Sequence, residues 1–253
     1  MKKHLIVASI VSLFSSSYTS ASEPLHYYII ASQAQPFQIE TDGSSHRGMV
    51  SDIVEAVFDD SQYEINYHTY PFNRMIDKLD ARENPNWVTY GSPSWGNIQS
   101  VNLSKDPIYN VKHVLLSSGK KPFEFNTIDD LDGKAVVLLV GFEYPNLEPY
   151  IQQGKLNEIR VKDYTAAFRI LNRAPGDTVF VEMESRIKYN LNEQKLSIDD
   201  YQMQEFDSVI NNYPIHLAFD PEMDPKLQTF IDQRLDQLKD DGRLDDIVQS
   251  YLQ

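Results

Sequence analysis

The sequence has 253 residues, enough for two domains of ordinary size, and 41% of them are hydrophobic, which is enough to build buried cores. The formal net charge is -14, and the acidic residues are spread along the chain rather than gathered in a tail. Binding to phosphates needs a cluster of Lys and Arg, and the sequence contains none after its first residues, so nucleic acid is not an expected partner.

The N-terminal segment has the composition of a secretory signal peptide. Lys2 and Lys3 precede an apolar run from Leu5 to Phe14, and small residues lead to a cleavage site after Ala21. The run is shorter than the roughly 20 apolar residues of a membrane-spanning helix. We therefore predict a signal peptide within residues 1–22 and a periplasmic protein without stable membrane insertion; an uncleaved anchor is the alternative.

The sequence contains no Cys. This excludes disulfides and thiolate metal sites, and it also excludes the acylated cysteine that anchors lipoproteins.

Strand and helix patterns alternate in the first part of the chain. Residues 25–32 and 63–71 predict strands, and apolar residues at helical spacing predict helices over 53–58 and 72–82. This order predicts a parallel α/β sheet.

A second series of elements begins near Val111. It is predicted to contain strands at 112–118, 135–141 and 177–182 and a helix at 164–174. The chain then ends with a strand at 213–219 and two helices, one from Pro225 and one after Gly242. Two such series predict two lobes.

Four fragments carry a resemblance to a known family. RGMVSDIVEAVF, LSKDPIY, DDLDGKAVVLLVG and LKDDGRLDDIVQSYL follow one another in the order and spacing found in the extracellular solute-binding proteins of family 3, the polar amino-acid-binding type. The resemblance implies the type II periplasmic-binding fold, an α/β fold of two lobes with two crossing hinge segments and a ligand cleft between them. It places lobe one at 23–111 and 206–253, lobe two at 112–205, and the crossings near 108–114 and 205–211.

The resemblance also implies a function without catalysis. A monomeric binding protein closes over a small molecule and presents it to a membrane permease or a sensor, without a cofactor.

On lobe one, the resemblance directs attention to the segment TYGSPSWGN. Thr89, Ser92 and Ser94 match the family's hydroxyl positions, whereas Asn97 stands where the family has an arginine for the ligand's α-carboxylate. Asn can donate hydrogen bonds but lacks the cationic fork of Arg.

On lobe two, the resemblance matches Gly141, Phe142 and Glu143 to a region of backbone donors, and Glu182 to the acid that receives the ligand's ammonium group. Carboxylates without the usual arginine favour a cationic amine as ligand. For Glu143 and Glu184, the alternative interpretation is that they are solvated acidic residues in loops.

Aromatic residues are frequent on the segments expected to line the cleft, and core packing is the alternative for each of them. They are Tyr70, Phe72, Tyr90, Trp95 and Phe142. Arg74 begins a helix that should face the cleft, so it either replaces the missing anion anchor or pairs with Asp77 on the surface.

The enzyme hypothesis has less support in the sequence. Known catalytic motifs such as G-x-S-x-G and H-E-x-x-H are missing, and the six His lack metal-ligand spacing. The fold also occurs in a periplasmic dehydratase of cyclic dicarboxylic acids, so Glu182 acting as an acid or base is the alternative function.

Overall fold

The computed structural model describes residues 23–32, 34–41 and 46–252, so the predicted signal peptide lies outside the described residues. The strands are β1 (Glu23–Ile30), β2 (Tyr63–Tyr70), β3 (Trp87–Gly91), β4 (Tyr109–Val111), β5 (His113–Ser118), β6 (Ala135–Leu139), β7 (Asn157–Val161), β8 (Thr178–Met183), β9 (Tyr201–Glu205) and β10 (Tyr213–Phe219). The helices are α1 (Met49–Phe58), α2 (Phe72–Asp80), α3 (Glu148–Gln152), α4 (Tyr164–Arg173), α5 (Glu184–Glu193), α6 (Pro225–Asp240) and α7 (Arg243–Ser250). Within the described ranges, no helix has the length and apolar character needed to cross a bilayer.

The strands form two five-stranded sheets, one in each lobe of a mixed α/β fold. The first has the order β2-β1-β3-β10-β4, and the second has the order β7-β6-β8-β5-β9. In each sheet four strands run in one direction and one strand runs against them: β10 is antiparallel to its neighbours β3 and β4, and β5 is antiparallel to β8 and β9. The parallel sheet predicted from the first series of strands and helices is confirmed for β1 and β2. The two reversed strands, β5 and β10, follow directly on the passages between the sheets.

Both faces of the second sheet are buried. Alternate residues of β6 point to opposite faces, so Val137 and Leu139 pack with Phe168 of α4, whereas Val136 and Leu138 pack with other apolar side chains on the opposite face. This burial explains why residues 135–139 form a continuous apolar run in the sequence.

The chain passes between the sheets twice. Lys112 is the only residue between β4 of the first sheet and β5 of the second, and the return lies between Glu205 and Tyr213. The backbone carbonyl of Lys112 accepts a hydrogen bond of 2.9 Å from the N–H of Glu184, the first residue of α5. The predicted limits of the two lobes, at 111 and 206, stay a prediction.

Four short strands and two helices were not predicted. They are β3, β4, β7 and β9 together with α3 and α5. The loop after β3 lies close to its own strand at Gly91, where any side chain would collide with the backbone carbonyl group of Gln99. The amide of Gln99 in turn donates to the carbonyl of Tyr90 over 2.7 Å, so the loop after β3 is held tightly against its strand.

Candidate functional site

A carboxylate is buried at the end of β8. Glu182 is 3% exposed, and its two oxygens accept hydrogen bonds from the N–H of Met183 (2.7 Å) and from the hydroxyl of Tyr164 (3.2 Å). Burial raises the pKa of Glu182, and the charge of Arg186 together with these two hydrogen bonds opposes the rise. The strand fixes the position of this acid because every residue of β8 is buried.

A buried arginine lies beside this carboxylate. Because α5 begins directly after β8, Arg186 comes close to Glu182, with its Nη1 atom 3.8 Å from Oε1. Burial opposes the charge of Arg186, but Tyr164 and Glu182 more than offset this and raise its pKa. Among the described residues its Nε atom has no hydrogen-bond partner.

Aromatic residues of both lobes cover the guanidinium group. Its carbon lies 5.0 Å from the ring centre of Phe142, on lobe two, and 5.7 Å from that of Phe37, in the loop after β1. Phe37 stacks on Tyr90 of β3 with 5.7 Å between ring centres. Burial raises the pKa of Tyr90, and the charge of Arg186 together with a side-chain hydrogen bond to this arginine opposes the rise. Lobe one therefore contacts the charged pair through aromatic rings.

The same cluster extends to the passage between the sheets. His113, at the start of β5, lies 5.6 Å from the ring of Tyr213, at the start of β10. Burial and then the charge of Arg186 lower the pKa of His113 to about 4, so its ring is neutral at pH 7. Within the described part of the chain, His113 Nδ1 also has no hydrogen-bond partner.

Two cavities lie near this cluster. One, of about 430 Å³, is bounded by Ser32, Gln35 and Ile39 from lobe one and by Tyr164 and Tyr189 from lobe two. Tyr164 joins this cavity to the site because its hydroxyl is bonded to Glu182. The other, of about 310 Å³, lies on lobe two between Phe142, Glu143 and Arg160.

The predicted residues of lobe one are mostly bonded within their own lobe. The hydroxyl of Thr89 is fully buried and donates to the carbonyl of Tyr28 over 2.9 Å, and Ser92 accepts from the N–H of Ser94. Asn97 caps a short 3₁₀ segment, with its side-chain oxygen accepting from the N–H of Gln99. Their role as ligand contacts stays a prediction.

The aromatic residues predicted on the cleft segments fall into two groups. Trp95 packs edge-on against Tyr90 with 5.6 Å between ring centres, next to the charged pair. Phe72 of α2 stacks on Phe142 at 6.4 Å, which is a second contact between the lobes.

Arg74 lies outside the cluster. It is exposed, and its guanidinium carbon lies 5.2 Å from the ring centre of Tyr70. Among the described ion pairs, none joins Arg74 to Asp77.

The predicted acids of lobe two differ in their surroundings. Glu143 is exposed, and Glu184 pairs with Lys188 over 2.6 Å, so only Glu182 is buried. Gly141 has a φ of 92°, a backbone angle that favours glycine and turns the chain towards Phe142.

Sequence reasoning missed Arg186, Phe37, Tyr164 and Tyr213. A signal for Arg186 existed, because Ile187 and Leu191 are apolar at helical spacing and both are buried on α5. A helix starting after Glu182 would have placed an arginine one turn from the predicted acid. Among the described residues, no group of three His or acidic side chains is arranged to hold a metal ion.

Two sheets joined by two passages, with a charged and aromatic cluster between them, define a two-lobed binding fold. Residues 28–253 match the family of bacterial extracellular solute-binding proteins, family 3, and the chain belongs to this family. No curated protein matches the sequence.

Solved structures share the fold at low sequence identity. The P235GK mutant of ArgBP from T. maritima has 19% identity and a TM-score of 0.66, with 90% of this chain and 94% of that chain covered. A structure from work on glutathione import via GshT and the cystine importer TcyBC of Streptococcus mutans has 18% identity and a TM-score of 0.72, covering 91% and 95%. The ancestral amino acid-binding protein AncCDT-1, a precursor of cyclohexadienyl dehydratase, has 16% identity and a TM-score of 0.68, also covering 91% and 95%.

Proposed function

We propose that this solute-binding protein works in the periplasm, where it closes over a small amine-containing molecule and presents it to a membrane transporter or sensor. The observation that carries the proposal is the buried carboxylate of Glu182, beside which aromatic residues of both lobes cover the guanidinium group of Arg186. An ammonium group is the natural partner of a buried carboxylate, and aromatic rings bind cations through their faces.

The proposed ligand contacts follow from the position of each residue. Glu182 receives the amine, Phe142 and Trp95 supply aromatic surface, and the backbone at Gly141 supplies donors. Thr89 and Asn97 contribute by holding β3 and its loop in place, since their side chains are already bonded. Ser92, Ser94, Tyr70, Arg74 and Glu143 line the cleft margins in this proposal.

One observation favours the alternative of an enzyme. Burial raises the pKa of Glu182, and a carboxyl group with a raised pKa is suited to acid–base catalysis. A binding protein returns its ligand unchanged, whereas an enzyme does not.

A thermal-shift screen with product analysis separates the two functions. Amines, amino acids and small carboxylic acids are added to the mature protein, and each compound that raises the melting temperature is then recovered and analysed. Recovery of the unchanged compound supports binding. Conversion that stops in Glu182→Gln contradicts the proposal and assigns catalysis to this acid.

The ligand's amine is tested with the same variant. Glu182→Gln keeps the shape of the side chain but removes its charge, so an amine ligand should bind at least about 10-fold more weakly. Glu222→Gln is the matched control, because Glu222 is an exposed acid outside the proposed ligand contacts. Equal loss in both variants contradicts the assignment of the amine to Glu182.

A further inference from the structure

A cation of the chain itself occupies the place that the proposed function gives to the ligand's amine. The Nη1 atom of Arg186 lies 3.8 Å from Oε1 of Glu182, and its guanidinium carbon lies 5.0 Å from the ring centre of Phe142. Glu182 and Phe142 are two of the ligand contacts named above. The pair is buried, since the side chains of Arg186 and Glu182 are each 4% exposed.

Lobe one completes the surroundings of this guanidinium group. The ring centre of Phe37 lies 5.7 Å from its carbon, and a side-chain hydrogen bond joins Arg186 to Tyr90. A carboxylate, aromatic faces and a hydroxyl are the groups with which proteins bind organic cations. The side chain of Arg186 is therefore surrounded as a bound cationic ligand would be, although it is part of the chain.

Arg186 and a ligand amine cannot share this place. The guanidinium group stays charged at every physiological pH, so an amine that reached Glu182 would meet a second cation beside it. Glu182 is buried and lines neither of the two cavities described above. A ligand that contacts this carboxylate must therefore take space that the side chain of Arg186 fills.

We propose that Arg186 is a built-in competitor of the ligand, because its guanidinium group occupies the cation site beside Glu182 and must move away before an amine binds there. The inference rests on the proposed function and adds the regulation of that site. The apparent affinity for an amine is then lower than the affinity of the vacated site, and weakly binding cations are rejected. Since Phe37 and Tyr90 contact the same guanidinium group, Arg186 also holds lobe one against lobe two.

The effect of removing the arginine distinguishes a competitor from a ligand contact. The probe is ethylammonium, a primary amine without other functional groups, and its affinity is measured by isothermal titration calorimetry. Arg186→Ala should bind ethylammonium about 10-fold more tightly than the wild type, because the intramolecular competitor is lost. Equal or weaker binding by Arg186→Ala overturns the inference, since loss of a ligand contact lowers affinity.

A soluble guanidinium compound tests whether the vacated place is a cation site. Methylguanidinium at about 20 mM should raise the melting temperature of Arg186→Ala by at least about 2 °C and leave that of the wild type unchanged. Methylurea has nearly the same shape without the charge, so it should stabilise neither protein. Stabilisation of Arg186→Ala by both compounds, or by neither, overturns the inference.

Arg160→Ala is the matched control for this experiment. Arg160 also lies over an aromatic ring, 5.2 Å from the centre of Tyr144, and its Nε atom is 2.7 Å from Glu158. Both charged side chains are partly exposed, at 33% and 36%, so water fills the space that Arg160→Ala leaves. Methylguanidinium should not change the melting temperature of this variant, and an equal rise in both variants overturns the assignment of a cation site beside Glu182.

Tyr90→Phe tests the inference if Arg186→Ala does not fold. This variant keeps the ring that stacks on Phe37 but loses the hydroxyl bonded to Arg186. The competitor is then held less tightly, so the affinity for ethylammonium should rise about 3-fold or more. An unchanged or lower affinity in Tyr90→Phe overturns the inference.

The outcomes separate this inference from the proposed function. If methylguanidinium stabilises Arg186→Ala but no amine binds the wild type, the inference stands, because Arg186 keeps the site filled, and the proposed function is wrong. If ethylammonium binds the wild type and Arg186→Ala gains no affinity, the proposed function stands and the inference is overturned.

Discussion

The two sides of the cleft use their polar groups in different ways. On lobe one, the side chains of Thr89, Ser92 and Asn97 are bonded to the backbone of their own lobe. On lobe two, Arg186 is buried, and its Nε atom has no hydrogen-bond partner among the described residues. The segment richest in small hydroxyl residues is thus the structural side, and the charged residues around the start of α5 form the side with unmet hydrogen bonds.

The two lobes therefore contribute different properties to the site: lobe one contributes its shape, and lobe two contributes its charges. Lobe one contacts Arg186 with Phe37 and Tyr90, which are large and rigid. Lobe two holds both charges, 3.8 Å apart, so their relative position does not depend on how far the lobes are closed. We expect substitutions on lobe two to change ligand charge preference, and those on lobe one to change stability and fit.

The largest expected effect comes from breaking the charged pair. Glu182→Ala leaves Arg186 buried without its counter-ion, which should lower the free energy of unfolding by about 3–5 kcal/mol in chemical denaturation. Glu184→Ala is the control, since its ion pair with Lys188 is partly exposed and should contribute less than about 1 kcal/mol. Equal losses in the two variants would refute the distinction between the buried and the surface acid.

The pH dependence of stability tests the burial of His113 beside Arg186. The pKa of His113 falls from 6.5 to about 4 on folding, so the unfolded chain binds a proton that the folded protein does not. Stability is therefore complete above pH 6.5 and falls between pH 6.5 and 4, by about 3 kcal/mol for this one group.

The measurement is the difference in unfolding free energy between wild type and His113→Met at each pH. This difference should change by about 3 kcal/mol between pH 6.5 and 4 and stay constant above pH 6.5. A constant difference over the whole range would show that His113 titrates normally and contradict its burial beside Arg186.

A smaller effect is expected at the hydroxyl of lobe one. Thr89→Val removes the donor to the carbonyl of Tyr28 but keeps the shape, and this carbonyl retains a second bond from Gln38, so stability should fall by about 1 kcal/mol. Ligand affinity should not change. Thr229→Val, at an exposed position on α6, is the matched control and should leave the ligand affinity unchanged. A loss of affinity in Thr89→Val would make this hydroxyl a ligand contact.

The smallest effect is expected at Asn97. Asn97→Ala removes the cap of residues 98–100 and should cost about 0.5–1 kcal/mol in stability, with no change in ligand affinity. Asn97→Asp keeps an accepting oxygen and should restore the stability, which thermal unfolding can measure. A weaker affinity for an amino acid in Asn97→Ala would instead make this residue a carboxylate contact.

The sequence was sufficient to predict the two-lobed α/β fold, because the long strands and helices have clear periodicity. It was also sufficient to identify the family, because four fragments carry the resemblance. Residues 213–219 form the predicted strand, and the helix predicted from Pro225 extends to Asp240. The antiparallel direction of β5 and β10 could not be predicted from the sequence, because the direction of a strand in a sheet depends on partners distant in sequence.

The candidate site was predicted only in part for the same reason. Glu182 could be named because the resemblance places an acid at the end of this buried strand. Phe37 and Tyr213 are 176 positions apart in the sequence and meet near Arg186 only through folding, so no local pattern indicates their partnership. Thr89 was assigned to the ligand contacts by the resemblance, and its bond to Tyr28 could not be predicted because it joins two strands that are not consecutive.

The single residue between β4 and β5 has a mechanical consequence. Rotation of one sheet against the other must change backbone dihedral angles in the linking segments, and Lys112 offers only its own φ and ψ, whereas the return segment has several residues. The pivot of such a rotation therefore lies close to Lys112, and points far from it travel farthest. The carbonyl of Lys112 accepts a hydrogen bond from the first N–H of α5. The helix that carries Arg186 therefore starts at the pivot, where such a rotation moves the atoms least.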